Sequence, residues 1–289
     1  MLPWLDNCQE AAATLALMEV QLGADWRSRF AESEWAHRNA VAQPLLTGLS
    51  LAAWQALAPS LPAPEVVAGY SAGELAAFCV AGAYSVVDAM ALAVDRAAAM
   101  DRSAAGLDTG LLSVQGLDAK AVQAACIRYG LALAIRLAPD RAVLGGLSTA
   151  LSAAERDLSA GGARCTRLPV RVASHTPWMS AAAVEFEERL GAVTFVSPRP
   201  TLVCNAVGAA EREPGRLRQL LARQLATTVN WDRCMDAIAE RRVRCVLEVG
   251  AGNPLTKLWR DRYPDIPARS VDEFRSAHAI AHWVQSALR

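Results

Sequence analysis

The stretch EVVAGYSAGELAAF, residues 65–78, constrains the fold more than any other. Val66 and Val67 predict a short buried strand over 65–70, because β-branched side chains suit a pleated surface and lose rotamer freedom in a helix. Gly69, Ser71 and Gly73 follow as G-x-S-x-G, and a helix is predicted over 72–82, with Glu74 in its first turn. A strand that turns into a helix through G-x-S-x-G is a nucleophile elbow: the glycines let backbone segments approach closely, and the serine hydroxyl is pushed above the sheet edge. There the backbone N–H of Ala72 would face a developing oxyanion, with the helix dipole adding favourable potential. The plainer reading makes Ser71 a helix cap, and G-x-S-x-G recurs by chance in chains rich in alanine and glycine. The strand before it and the helix after it favour chemistry.

A serine hydroxyl is too weakly acidic to attack unaided, and histidine is the usual base near neutral pH. The chain has four histidines. His37 stands in a charged stretch and reads as a surface residue. His278 and His282 are four apart on a terminal helix, a spacing that suits a metal, but no third ligand is evident and a solvated helix is the better reading. His175, in VASHTPWM, lies in a loop after a strand and before a helix, where a cleft between two parts of the chain would open. A serine hydrolase arrangement, Ser71 with Asp272 and His278, is the alternative.

Coarse periodicity sets these residues in an alternation of strands and helices. Helices are predicted over 8–22, 44–58 and about 86–104, the last opened by a capping box of Ser85 with Asp88. From about 109 to 171 the order is strand GLLSVQG, helix 118–129, paired strands LALAIRL and RAVLGG, helix 150–160 and strand CTRLPVRV. That βαββαβ order is ferredoxin-like and reads as a small domain, 109–171, inserted into a large one made of 1–108 and 172–289. Beyond it come helices at 179–190, 216–227 and 231–241, strands near 201–204 and at VRCVLEV, then Gly250 and Gly252 before a last helical rhythm. The class is α/β, and strands separated by helices imply a largely parallel sheet covered on both faces.

Composition narrows the partners. The 289 residues carry 29 basic and 29 acidic side chains, so neither nucleic acid nor an anionic membrane is favoured. Seven scattered cysteines without a C-x-x-C pair read as reduced thiols of a cytoplasmic protein. Asp6 and Glu10 stand where a secretory signal would be basic. The uncharged run 39–64 holds Gln43, Gln55 and several prolines, which makes it a poor membrane span.

GYSAGE, the arginine of VDRAAAM, SHTPWM, TTVNW and LEVGAGNPL, with AQPLLTGLSLAAW ahead of the elbow, resemble in order and spacing the malonyl-CoA:acyl-carrier-protein transacylases. That family includes the acyltransferase domains of fatty-acid and polyketide synthases, and the likeness spans nearly the whole chain. It implies an α/β-hydrolase-like large domain with a ferredoxin-like insertion between Arg96 and His175. It implies that Ser71 is the acylated nucleophile, His175 its general base and acid, and Arg96 the grip on the free malonyl carboxylate. Tyr70 and Ala72 would flank the acyl group, Asn230 would orient His175 through its backbone carbonyl, and Asn205 would stand on the pocket side.

A planar guanidinium donates bidentately to a carboxylate. An acetyl group would leave it unpaired, at about 3–5 kcal/mol in a dry site, so selectivity for malonyl over acetyl is expected. The reaction implied moves malonyl from malonyl-CoA to the phosphopantetheine-type thiol of an acyl carrier protein through a malonyl-serine, with no resident cofactor and no metal. Tyr70 replaces the family's usual His. With VASH, this looks most like the epsilon subunit of malonate decarboxylase, which charges that enzyme's own carrier subunit. A fatty-acid or polyketide type transacylase, a thioesterase-like hydrolase and an inactive carrier-docking subunit are the alternatives. The family's G-Q-G-x-Q loop, whose glutamine gives a second oxyanion donor, would stand ahead of MLPWLDN, and loss of one such donor costs about 10²–10³ in rate.

Overall fold

The computed structural model describes residues 2–5 and 8–289, so Asp6 lies outside the described residues. Helices open the chain: α1 (Ala12–Leu22), the single turns α2 (Trp26–Arg29) and α3 (Ser33–Ala36), and the long α4 (Asn39–Leu57). α4 begins five residues before the start expected at 44, with Pro44 inside it. β1 (Val66–Ala68), α5 (Gly73–Val80) and α6 (Val86–Ala104) follow. Ser85 caps α6 in the expected box: its hydroxyl accepts the Asp88 N–H while the Asp88 carboxylate accepts the Ser85 N–H.

Next come β2 (Thr109–Gln115), α7 (Ala119–Tyr129), β3 (Ala132–Ala138), β4 (Arg141–Leu147), α8 (Ser148–Ala160) and β5 (Arg164–Arg167). The rest of the chain holds α9 (Ser180–Leu190), β6 (Thr201–Cys204), β7 (Ala209–Glu211), α10 (Pro214–Arg223), β8 (Val229–Asn230), α11 (Trp231–Ala239), β9 (Val246–Glu248), α12 (Pro254–Arg262), β10 (Ala268–Ser270) and α13 (Ala277–Ala287). No helix of the described residues is long and apolar enough to cross a membrane.

β2 lies between β5 and β4, antiparallel to both, and β3 pairs antiparallel with β4, which gives the order β5-β2-β4-β3; β8 adds a parallel edge to β3. Alternation along β2 sends Leu112 and Val114 to one face, where they pack with Val122 of α7 and Leu151 of α8. Leu111 points the other way and joins Ile135, Val143, Val203, Val229 and Trp231 in a core shared with the rest of the chain. β1 and β6 pair in parallel from Val66 opposite Thr201, and β9 pairs in parallel with β10.

Outside residues 109–171 the parallel pairs expected from sequence are β1 with β6 and β9 with β10, but they stand in two separate short ladders and not in one continuous sheet; the antiparallel order β5-β2-β4-β3 lies within 109–171. β1, β9 and β10 span three residues each and have room for few ladder bonds. Helix packing orders that half instead: Leu49 of α4, Phe78 of α5, Met90 of α6, Phe186 of α9 and Leu217 of α10 are buried in a single core. Each such side chain contributes about 1.5–3 kcal/mol. The same core seats α5, and with it the turn at Ser71.

Candidate active site

Ser71 joins β1 to α5 with φ at 54°, in the left-handed region that a residue with a side chain rarely adopts. Such a conformation costs about 1–3 kcal/mol and persists only where the surroundings over-determine it. Two side chains do so. Asn205 Oδ1 accepts the Ser71 N–H at 2.9 Å, and Gln224 Nε2 donates to the Ser71 carbonyl at 2.9 Å. Gly69 makes the turn possible, since a Cβ there would lie 2.1 Å from the Gly73 carbonyl oxygen. The Ala72 N–H has no acceptor among the described residues, which leaves a donor and the positive end of the α5 dipole beside the hydroxyl. On the other side, Tyr70 sets its ring edge-to-face with Trp231, centroids 5.3 Å apart. Burial raises its phenol well above the ordinary range.

The structure brings His175 to Ser71. Ser71 Oγ and His175 Nε2 are 2.7 Å apart, and His175 Nδ1 is 2.8 Å from the Gln224 carbonyl. A carbonyl can only accept, so Nδ1 carries the proton and the Nε2 lone pair faces the hydroxyl. That is the tautomer a general base needs. His175 is itself left-handed, φ 62°, and its N–H is pinned to the Leu225 carbonyl at 2.8 Å. Burial first, then the nearby Arg96 charge, push its pKa down to about 3 against the pull of the Gln224 carbonyl, so the ring is neutral at physiological pH.

Arg96, on α6, is 2% exposed. Its Nη1 donates to Gln43 Oε1 at 2.6 Å and its Nη2 to Gln224 Oε1 at 2.8 Å, while Nε has no partner among the described residues. Burial lowers its pKa to about 10, opposed by Glu74, so it stays charged. Two neutral amide oxygens therefore occupy the guanidinium, with donors to spare. The arrangement can activate a hydroxyl, stabilise an oxyanion and hold an anionic acyl group.

The chain matches the acyl transferase domain over residues 3–283. A malonyl CoA-acyl carrier protein transacylase of Mycobacterium tuberculosis H37Rv is 34% identical over 235 residues, 80% of this chain and 78% of the relative. The chain belongs to the acyl transferase family. Within it the structural likeness is close: an acyl-carrier-protein S-malonyltransferase of Burkholderia pseudomallei 1710b superposes with a TM-score of 0.90 at 26% identity, covering 97% of this chain and 94% of the other. A malonyl-transacylase solved in complex with a type II polyketide acyl-carrier protein gives 0.87 at 26% identity, covering 96% and 91%.

For this acyltransferase, Ser71, Ala72, Tyr70, His175 and Arg96 converge, and two expectations need correction. Asn230 does not orient His175. Its side chain donates to the Ala206 and Thr228 carbonyls, each at 3.2 Å, and its N–H to the Asn205 carbonyl, so it braces the loop after β6. The carbonyl on His175 is that of Gln224, just past the end of α10, where helical carbonyls are left without intrahelical partners. Asn205 is fully buried and faces the elbow backbone instead of an open pocket. The hydrolase arrangement also fails: His278 and Asp272 are exposed, and the Asp272 carboxylate accepts the Gly252 N–H. His37 is exposed and meets Ser33, and no metal-type cluster occurs among the described residues.

Sequence reasoning missed Gln224 and the part played by Glu74, and both left a signal. Gln224 follows Leu217, Leu220 and Leu221 at the spacing of a buried helical stripe, so a polar side chain falls where an apolar one is due. Glu74 likewise falls on a helix whose next four residues, Leu75 to Phe78, are all buried.

Proposed function

We propose that the protein moves a malonyl group from malonyl-CoA to the phosphopantetheine thiol of an acyl carrier protein through a malonyl ester on Ser71. The contact between Ser71 Oγ and His175 Nε2, with Nδ1 held by a carbonyl, carries the reading. Ser71 Oγ attacks the thioester carbon as its proton passes to Nε2; the C–S bond breaks, and the coenzyme A thiolate leaves with that proton. In the second half the carrier thiol gives its proton to Nε2 and attacks the ester, the C–O bond breaks, and Ser71 recovers its proton. The Gln224 carbonyl, at the negative end of α10, steadies the imidazolium between these steps.

Relatives named as malonyl CoA-acyl carrier protein transacylases favour a fatty-acid type carrier. Tyr70 in place of the family's His supports the second reading, the carrier subunit of malonate decarboxylase. The fold is read as an α/β-hydrolase-like large domain, 1–108 and 172–289, with a ferredoxin-like small domain, 109–171. The order β5-β2-β4-β3 with α7 and α8 packed on one face supports the small domain, and the strand–serine–helix turn supports the large one. Seven unpaired thiols support a cytoplasmic location.

Incubation with malonyl-CoA followed by intact-mass measurement tests the function. A malonyl adduct is expected on the wild-type chain, absent in Ser71→Ala and discharged by a carrier thiol. An adduct lost to water at the same rate with and without carrier would make the protein a hydrolase.

A further inference from the structure

Glu74 is a carboxyl group cut off from water, 1% exposed, in the first turn of α5 and three residues after Ser71. Its Oε1 accepts the Asn205 N–H at 2.7 Å and its Oε2 accepts from Gln224 Nε2 at 2.8 Å. An apolar side chain of similar size would fill the space without the desolvation cost of a buried charge. What the carboxylate adds is direction. Once ionised, Glu74 can only accept, so the two hydrogens on Gln224 Nε2 go to Glu74 and to the Ser71 carbonyl, and the amide oxygen must turn to Arg96. A flipped amide would set its oxygen against two acceptors and its NH2 against a guanidinium. Asn205 is anchored through its main chain: its backbone N–H is on Glu74, while its side-chain Oδ1 takes the Ser71 N–H and its Nδ2 donates to the Gly69 carbonyl at 2.6 Å.

We propose, resting on the acyl-transfer reading above, that Glu74 is a positioning residue for acylation of Ser71, holding the N–H of the strained nucleophile through Asn205 and its carbonyl through Gln224. The same Gln224 places its backbone carbonyl on His175 and its amide oxygen on Arg96. One ionised group thereby aligns nucleophile, base and carboxylate grip together. In Glu74→Gln the new amide oxygen must stay on the Asn205 N–H, so its NH2 meets the NH2 of Gln224. Relief requires Gln224 to flip, which removes the acceptor from Arg96 and the donor from Ser71.

Burial pushes the Glu74 carboxyl up to about 8, against the pull of the Asn205 N–H, Arg96 and Gln224. The titratable groups facing it are Arg96 of α6, Tyr84 just before α6, Cys204 at the end of β6 and Cys234 of α11. Arg96 keeps its proton to about 10, and burial raises the other three. His175, beyond Arg96, is neutral above about 3. Glu74 is therefore the group of this cluster that ionises between about pH 6.5 and 9.

The test is the rate of Ser71 acylation by malonyl-CoA without carrier, followed by rapid quench and intact mass from about pH 6.5 to 9, with thermal unfolding of each variant. The wild-type rate is expected to rise about 20-fold across that range as Glu74 ionises. Glu74→Gln is expected to acylate about 100-fold more slowly with a flat profile at an unreduced melting temperature, and Glu74→Asp to recover about tenfold of that loss. A folded Glu74→Gln that acylates within about threefold of wild type, or that keeps the rising profile, overturns the proposal. If Glu74→Gln does not fold, Gln224→Met cuts the arm that runs from Glu74 through Gln224 to the Ser71 carbonyl and Arg96, while leaving the Asn205 arm and keeping the carbonyl on His175. It is expected to lose about 100-fold, and a rate within about threefold of wild type overturns the proposal. A wild-type chain that takes no acyl group overturns the acyl-transfer reading itself, and the role of Glu74 with it.

Discussion

A guanidinium as buried as that of Arg96 ordinarily demands a carboxylate, yet its direct partners are the amide oxygens of Gln43 and Gln224. Amide oxygens satisfy the geometry of the donors without cancelling the charge. A malonyl carboxylate would supply the charge through donors still free, Nε among them, whereas an acetyl group would leave the amides in place. The full penalty for an unpaired buried arginine, expected from sequence, is therefore softened. What remains is one charge-assisted contact, worth about 1.5–3 kcal/mol. Arg96→Ala is accordingly expected to lower kcat/KM for malonyl-CoA by about 100-fold and for acetyl-CoA by less than about tenfold. Steady-state rates with both esters decide the matter, and equal losses would reduce Arg96 to a structural residue.

The turn between β1 and α5 shows how two glycines of one motif answer to different causes. A methyl on Gly69 would strike the backbone of Gly73 and Glu74 at 2.1–2.4 Å, atoms that no side-chain rotation can move. Gly69→Ala is expected to cost about 1–3 kcal/mol in urea unfolding and to abolish acylation, because the turn must open to admit it. A methyl on Gly73 meets nothing within 4 Å and sits at the start of α5, so Gly73→Ala is expected to keep or raise stability by up to about 1 kcal/mol. Destabilisation by both substitutions would refute this division. The turn itself was legible because strand, glycines and helix are adjacent in sequence, as was the capping box of α6. The partner of His175 was not, since Asn230 and Gln224 both stand near the matching TTVNW segment and only the end of α10 decides which carbonyl faces the ring. The break of the parallel strands into two ladders was hidden for a related reason: periodicity marks where strands lie, but strands of three residues leave their continuity to the helices around them.

Across the whole molecule, two buried titratable groups give opposite pH dependences of stability. Glu74 is pushed up to about 8 from 4.5, and His175 down to about 3 from 6.5. Between about pH 3 and 4.5 the unfolded chain binds the extra proton, on His175, so stability rises with pH. From about 4.5 to 6.5 the folded chain keeps a proton on Glu74 that the unfolded chain has lost, and the two effects offset. Above about 6.5 His175 is neutral in both states and Glu74 acts alone, so stability falls as pH rises, by up to about 2 kcal/mol at pH 8. Urea unfolding of wild type and Glu74→Gln at pH 6.5 and 8 checks this: the wild type is expected to weaken over that interval and the variant to hold level. A wild type that strengthens from pH 6.5 to 8 would refute the burial cost assigned to Glu74. The direction matters for function, because the ionisation that aligns Ser71, His175 and Arg96 is the same one that makes the fold less stable.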